Sequence, residues 1–152
     1  MAIYELKLVR IKVSDIDPHP IKKSADTVDY LLNHGCFSAE DAWRERVVLI
    51  TLNRELIPTG FFHLSVGGVN SCTIDRLSAV RVAVMAGADS VIVSHNHPSS
   101  SSRPSQTDIR ETNELTKSFS VFGIKLIDHV IISNDEYFSF SDEVVVKRKG
   151  LL

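Results

Sequence analysis

The chain has 152 residues, of which 43% are hydrophobic and 24% are charged, as expected for one soluble globular domain with its own core. Its formal net charge of -2 lacks the basic excess that a dedicated nucleic-acid binder usually carries. No apolar run approaches the ~20 residues of a membrane span, and charges interrupt the N-terminus where a signal peptide would be apolar, so we expect a cytoplasmic protein without a membrane partner.

The N-terminal part predicts an extended segment followed by a short helix. Residues 3–13 alternate weakly between apolar and polar side chains, which indicates a first strand or an extended arm. Ser24 or Asp26 can cap a helix, and Gly35 is well placed to end it.

A hairpin is expected next. Residues 46–52 are rich in valine, leucine and isoleucine on both faces, which is typical of a central strand covered on both sides. Residues 53–55 then form a turn, and residues 56–66 predict the second strand of the hairpin.

A helix is expected from about residue 73 to residue 86, because apolar side chains recur there at helical spacing. Its inward face is predicted to consist of Ile74, Leu77, Val80 and Val84. Residues 90–95 then predict a short apolar strand.

The remaining elements are a third helix over residues 106–121 and two strands over 124–132 and 136–141. The inward residues of this helix are predicted to be Ile109, Leu115 and Phe119. Helices and strands therefore interleave along the chain. We expect the α/β class, as a single-domain α-β-α sandwich around a mixed, largely antiparallel sheet.

The residues that can carry chemistry are concentrated between positions 95 and 108. In extended backbone, residues two apart project to the same face, so His95 and His97 can present two imidazoles to one point, and Pro98 favours extended geometry at His97. Asp108 would sit in the first turn of the third helix. Two imidazoles and one carboxylate leave one tetrahedral position for water, as in catalytic zinc sites. We therefore predict a Zn²⁺ site held by His95, His97 and Asp108.

Each part of this pattern also has a purely structural interpretation. Two histidines near a strand end are commonly hydrogen-bonded surface residues, and Ser105-x-x-Asp108 resembles a helix capping box. The combination favours a metal, because imidazoles and a carboxylate clustered beside an apolar strand need partners or an ion.

The same segment resembles the signature of the JAMM metalloenzymes. That signature is matched by His95-x-His97-Pro98 and Ser105-x-x-Asp108. The wider context resembles the RadC family over residues 22–143. It includes Ser94-His95-Asn96-His97-Pro98-Ser99, Ser65-x-Gly67, Arg76, and the run from Gly123 through Asp128-His129 to Ile132. The resemblance implies a JAMM fold, which has a layered α/β architecture comparable to that of zinc deaminases.

The resemblance also implies a glutamate far upstream, at the start of a strand. Glu45 matches it, and Glu40, Asp41 and Glu55 are competitors. Glu45 would act as the general acid and base of an amide hydrolysis, and Ser105 would donate a hydrogen bond to the developing oxyanion. For Glu45 to reach the metal site, strands 46–52 and 90–95 should run antiparallel.

We accordingly expect a zinc metallopeptidase or isopeptidase with a peptide or protein substrate. The alternative, suggested by the family name, is a DNA-repair or DNA-processing accessory, for which Arg44, Arg46, Arg76 and Arg103 could form a basic groove. Nucleic acid is weakly supported as a partner, and the oligomeric state is open. A zinc deaminase is excluded, because only two cysteines are present, 36 residues apart.

The expected organisation is an N-terminal strand or extension over residues 1–21, a metal-binding catalytic domain over 22–145 and a basic, solvated tail over 146–152. RadC proteins usually carry an N-terminal helix-hairpin-helix region, for which this chain has no room, so we expect a stand-alone catalytic domain.

The remaining candidates are expected to be structural. Cys36 and Cys72 are interpreted as reduced structural thiols and Trp43 as a packing residue, whereas Asp128 and His129 are expected to support the metal ligands or the fold rather than bind the metal.

Overall fold

The computed structural model describes residues 9, 11–12, 18–37, 44–66, 74–98 and 101–152. These residues form three helices and six strands. In chain order they are α1 (Ser24–Asn33), β1 (Arg46–Leu52), β2 (Pro58–Val66), α2 (Arg76–Met85), β3 (Ser90–Asn96), α3 (Gln106–Ser120), β4 (Lys125–Ile132), β5 (Glu136–Ser139) and β6 (Val144–Lys147). Most of the strand expected over 3–13 lies outside the described residues.

The six strands form one sheet in the order β2-β1-β3-β4-β5-β6. Strand β1 pairs antiparallel with β2 on one side and with β3 on the other, while β3 and β4 run parallel. The pairs β4–β5 and β5–β6 are antiparallel. The mixed, largely antiparallel α/β sheet is therefore confirmed.

The central strands are buried on both faces, as their continuous apolar runs predict. Along β1, Val48 and Ile50 join the hydrophobic cluster that contains Leu31 of α1. Val47 and Leu49 instead join the cluster that contains Phe119 of α3. Because side chains alternate along a strand, α1 covers one face of the sheet, and α2 and α3 cover the other.

The residues predicted to begin and end α1 lie at or near the ends of the helix. The helix begins at Ser24, and the Asp26 carboxylate in its first turn accepts hydrogen bonds from the backbone N–H groups of Lys22 and Lys23. Gly35 has a φ of +63°, a conformation that favours glycine, and it follows the last turn.

The predicted inward face of α2 is wrong in part. Ile74 and Val80 are buried as expected, but Leu77 is 58% exposed and Val84 is 47% exposed. Ala79 and Ala83 are fully buried in their place. Apolar residues lie on more than one side of this helix, so spacing alone did not identify the side that packs on the sheet.

Two further expectations need correction. In α3, Leu115 and Phe119 are fully buried, whereas Ile109 in the first turn is 37% exposed. At the C-terminus, residues 144–147 form the edge strand β6, which the sequence analysis missed.

The C-terminal basic run is not a solvated tail. Lys147 and Lys149 are exposed, but Leu151 is buried in the cluster beneath α1. The Arg148 guanidinium lies 2.7 Å from the Asp29 carboxylate of that helix. Backbone hydrogen bonds from Arg148 to Asp135 and from Leu151 to Asn134 fix the segment further.

The longest helix of the described residues is α3, with 15 residues. None of the helices in that part of the chain combines the length and the apolar character needed to cross a membrane.

Leu115 of α3 is buried and Leu77 of α2 is exposed, which predicts that replacement by alanine destabilises the protein more at Leu115 than at Leu77. Leu115→Ala should lower the free energy of unfolding by about 2–5 kcal/mol, because it removes buried methyl groups and leaves a cavity. The matched control Leu77→Ala should change it by less than about 1 kcal/mol, since that side chain is mostly exposed. Urea unfolding of the two variants checks this, and equal losses would contradict the assigned helix faces.

Candidate metal centre

The two histidines lie where β3 leaves the sheet. His95 is paired with Val47 of β1 and with Ile131 of β4 and is almost completely buried. The backbone N–H of His97 donates to the carbonyl of Ile132 at 2.8 Å, so the chain remains extended for one residue beyond the strand. Both imidazoles can therefore point to the side of the sheet that α3 covers, as the His-x-His spacing predicts.

Asp108 lies in the first turn of α3, and Ser105 is the N-cap of that helix. The Ser105 hydroxyl donates to Asp108 Oδ2 at 2.6 Å, and the Ser105 backbone N–H donates to the same oxygen at 2.7 Å. The backbone N–H of Asp108 contacts Ser105 Oγ at 3.2 Å in return. This capping box fixes the carboxylate while it faces the histidines.

Three potential ligand atoms converge between β3 and α3. The Nε2 atoms of His95 and His97 are 3.0 Å apart. Asp108 Oδ1 lies 3.3 Å from His95 Nε2, and Oδ2 lies 3.6 Å from His97 Nε2. Ligands bound at about 2.0–2.2 Å in a tetrahedral site are about 3.3–3.6 Å apart. The two Nε2 atoms are closer than this range, but each of the three side chains offers one ligand atom within 4.8 Å of the others, so the group could hold a single metal ion.

The electrostatics of the cluster favour an ionised carboxylate. Although burial opposes the charge, the neighbouring imidazoles of His95 and His97 hold the pKa of Asp108 far below its usual range. Burial also lowers the pKa of His97, but the Asp108 carboxylate, the Ser101 carbonyl and the charge of Glu45 outweigh it and raise that pKa above its usual value. A metal cation bound at this point would stabilise the same negative charge on Asp108.

The other ring nitrogen of each histidine also has a partner. His97 Nδ1 lies 3.1 Å from the carbonyl oxygen of Ser101, and His95 Nδ1 lies 2.7 Å from Nε2 of His129. His129 is fully buried, and its Nδ1 lies 2.6 Å from the hydroxyl of Thr112. Burial lowers the pKa of His129 well below its usual value. Contacts of this kind orient metal-binding imidazoles.

Glu45 lies immediately before β1, and its charge acts on His97. The antiparallel pairing of β1 with β3 is confirmed, and it brings the start of one strand to the end of the other. The Asn96 side chain fixes the backbone on both sides of Glu45. Its Oδ1 accepts from the N–H of Arg46 at 2.7 Å, and its Nδ2 donates to the carbonyl of Arg44 at 2.9 Å.

Sequence reasoning missed both Asn96 and Thr112. Asn96 stands between the two histidines, and its position there was the available signal. Thr112 is four residues after Asp108 on α3, so the two lie on the same helix face.

Several other candidates stand apart from the ligands. The Asp128 carboxylate accepts from Ser139 Oγ and from the backbone N–H of Ser141, so it supports the turn after β5. Burial raises the pKa of Asp128, which those hydrogen bonds partly oppose. Cys36 is a buried free thiol, and burial raises its pKa to about 12. Glu40, Asp41, Trp43 and Cys72 lie outside the described residues.

The chain is similar to proteins of one family over most of its length. Residues 21–145 match the family described as RadC-like JAB domain. Among curated proteins, a UPF0758 protein of Carboxydothermus hydrogenoformans is 38% identical over 100 residues, which are 66% of this chain and 44% of that protein. One from Thermotoga maritima is 40% identical over 100 residues, 66% of this chain and 45% of that protein.

A longer match is to a UPF0758 protein of Fusobacterium nucleatum, 31% identical over 144 residues, which are 95% of this chain and 60% of that protein. The matched region thus spans less than two thirds of the length of these relatives. The family match together with the cluster of His95, His97 and Asp108 supports a metal-dependent hydrolase.

The position of Asn96 generates a stability prediction. Asn96→Ala should lower the free energy of unfolding by about 1–3 kcal/mol, because it leaves the Arg46 N–H and the Arg44 carbonyl without their side-chain partner. Asn113→Ala, at an exposed position of α3, is the control and should have little effect. Urea unfolding measures both, and an Asn96 variant as stable as the control would show that the strand start does not depend on this side chain.

Proposed function

The chain belongs to the RadC-like JAB domain family, and we propose that it is a zinc-dependent hydrolase that cleaves an amide or isopeptide bond. The observation that supports this most directly is the convergence of two imidazole Nε2 atoms and one carboxylate beside the start of β1, which Glu45 immediately precedes.

Zinc is the metal proposed for this centre. Two histidines and one carboxylate are a common catalytic set for zinc, and three protein ligands leave a position for water or substrate. A zinc ion bound there would polarise the scissile carbonyl and lower the pKa of a coordinated water to about 7.

The role proposed for Glu45 is proton transfer. Its charge acts on His97, and the two hydrogen bonds of Asn96 fix the backbone around it. Glu45 would accept a proton from the attacking water and later donate it to the nitrogen of the leaving amine, so that one carboxylate serves both steps.

Ser105 is proposed to have two roles. Its hydroxyl and backbone N–H hold Asp108 Oδ2, which orients a metal ligand. Rotation of the same hydroxyl would let it donate a hydrogen bond to the oxyanion that develops as the carbonyl is attacked.

A peptide or protein is the proposed substrate, because a polarised carbonyl with a nearby carboxylate suits amide hydrolysis. The DNA-processing alternative is less well supported. Of the four arginines considered for a basic groove, Arg76 is paired with Glu114 at 3.3 Å, on the face where α2 contacts α3.

Glu45→Gln tests the proposed mechanism. This variant should retain zinc, because Glu45 is not among the three ligands, and should lose turnover by about 10²–10⁴-fold through loss of the general base. Activity would be measured on a panel of peptides and isopeptide-linked conjugates, with zinc content determined on the same samples.

Glu55→Gln is the matched control, since Glu55 lies exposed in the turn between β1 and β2 and should leave both zinc content and turnover unchanged. Full activity in the Glu45 variant would overturn its role. Activity that survives complete removal of the metal from the wild type would overturn the zinc mechanism itself.

A further inference from the structure

A chain of three hydrogen bonds runs from the first metal ligand into α3. We propose that Thr112 and His129 are positioning residues that fix the tautomer of His95, so that His95 directs an unprotonated Nε2 at the metal. This inference rests on the proposed metal centre and adds two residues to it that do not touch the ion.

The contacts are short, and the two imidazoles among them are buried. His95 Nδ1 is 2.7 Å from His129 Nε2, and His129 Nδ1 is 2.6 Å from Thr112 Oγ1. Thr112 Oγ1 donates to the backbone carbonyl of Asp108 at 2.6 Å. The ring of His129 is fully buried and stacks on Phe140, with ring centroids 5.0 Å apart and planes inclined by 10°.

The direction in which these hydrogen bonds donate follows from the last of them, between Thr112 and Asp108. A carbonyl oxygen can only accept, so the single hydroxyl proton of Thr112 is used on the carbonyl of Asp108. The oxygen of Thr112 must then accept a proton from His129 Nδ1. Both ring nitrogens of His129 face neutral groups, an imidazole and a hydroxyl, and in the neutral ring a protonated Nδ1 leaves Nε2 as an acceptor.

His95 must therefore donate from Nδ1 to His129. Its own Nε2 is left with a free lone pair, and this is the atom that faces His97 and Asp108. If the Thr112 hydroxyl instead donated to His129 Nδ1, then His129 would be protonated at Nε2 and would donate to His95 Nδ1. His95 Nε2 would then carry hydrogen and could not bind a cation. The back-bond from Thr112 to Asp108 favours the arrangement that binds metal.

These hydrogen bonds also link β3 to α3, the two elements that carry the proposed ligands. One end holds a ligand from β3, and the other end holds the backbone of Asp108, the ligand from α3. Outer contacts of this type commonly set ligand orientation and affinity.

Zinc affinity of three variants tests the inference. Thr112→Val keeps the shape of the side chain but loses the hydroxyl, and it should weaken zinc binding by about 10–100-fold. Thr112→Ser restores the hydroxyl and should bind nearly as the wild type does. Thr116→Val is the matched control, because Thr116 makes the same kind of back-bond to the carbonyl of Thr112 on the exposed side of α3. The dissociation constants would be measured by competition with a chromophoric chelator.

A second readout reports the tautomers directly. Long-range ¹H–¹⁵N correlation spectra of the metal-free wild type should show both His95 and His129 protonated at Nδ1, and Thr112→Val should change that pattern whereas Thr116→Val should not. A structural role of Thr112 alone would shift stability without changing the tautomer of His95.

The outcomes separate the two claims. Equal zinc affinity of the wild type and Thr112→Val, or an Nε2-protonated His129, overturns the positioning role and leaves the metal centre intact. A wild type that binds no zinc overturns the metal centre, and the positioning role with it.

Discussion

The antiparallel pairing of β1 with β3 is the constraint on which the proposed metal centre depends. It places the end of the strand that carries His95 beside the start of the strand that follows Glu45. Asn96, at that same end, fixes the backbone of Arg44 and Arg46 through its side-chain amide. A change of register by one residue would turn His95 toward the face that α1 covers, away from α3.

The first turn of α3 supplies the third of the proposed ligands at little structural cost. In the capping box the Asp108 carboxylate accepts the backbone N–H of Ser105, and it also faces the two imidazoles. Capping and metal binding are therefore compatible roles of one carboxylate. The helix is held on the sheet by Leu115 and Phe119, so the packing of the core contributes to the position of the ligand.

Much of the site could be predicted because its main parts are local in sequence. His95, His97 and Asp108 lie within fourteen residues of one another, and the geometry of a strand end and a helix start is enough to bring them together. The prediction of Glu45 required the family resemblance, because Glu45 is about 50 residues before His95 and only the pairing of β1 with β3 brings the two segments together.

The supporting residues could not be predicted in the same way. Asn96 acts on backbone groups 50 and 52 positions earlier in the chain, and His129 meets His95 only through the parallel pairing of β3 and β4. The inward face of α2 was misassigned for a related reason. Its apolar residues lie on two sides, and the sheet selects the side with Ala79 and Ala83.

The proposed metal centre can be tested by diffraction from crystals grown with one equivalent of zinc, with data collected at the zinc absorption edge. We expect a single anomalous peak between the Nε2 atoms of His95 and His97 and the carboxylate of Asp108, lost in the His95→Ala, His97→Ala double variant. A peak at another position, or zinc content unchanged by the double variant, would contradict it.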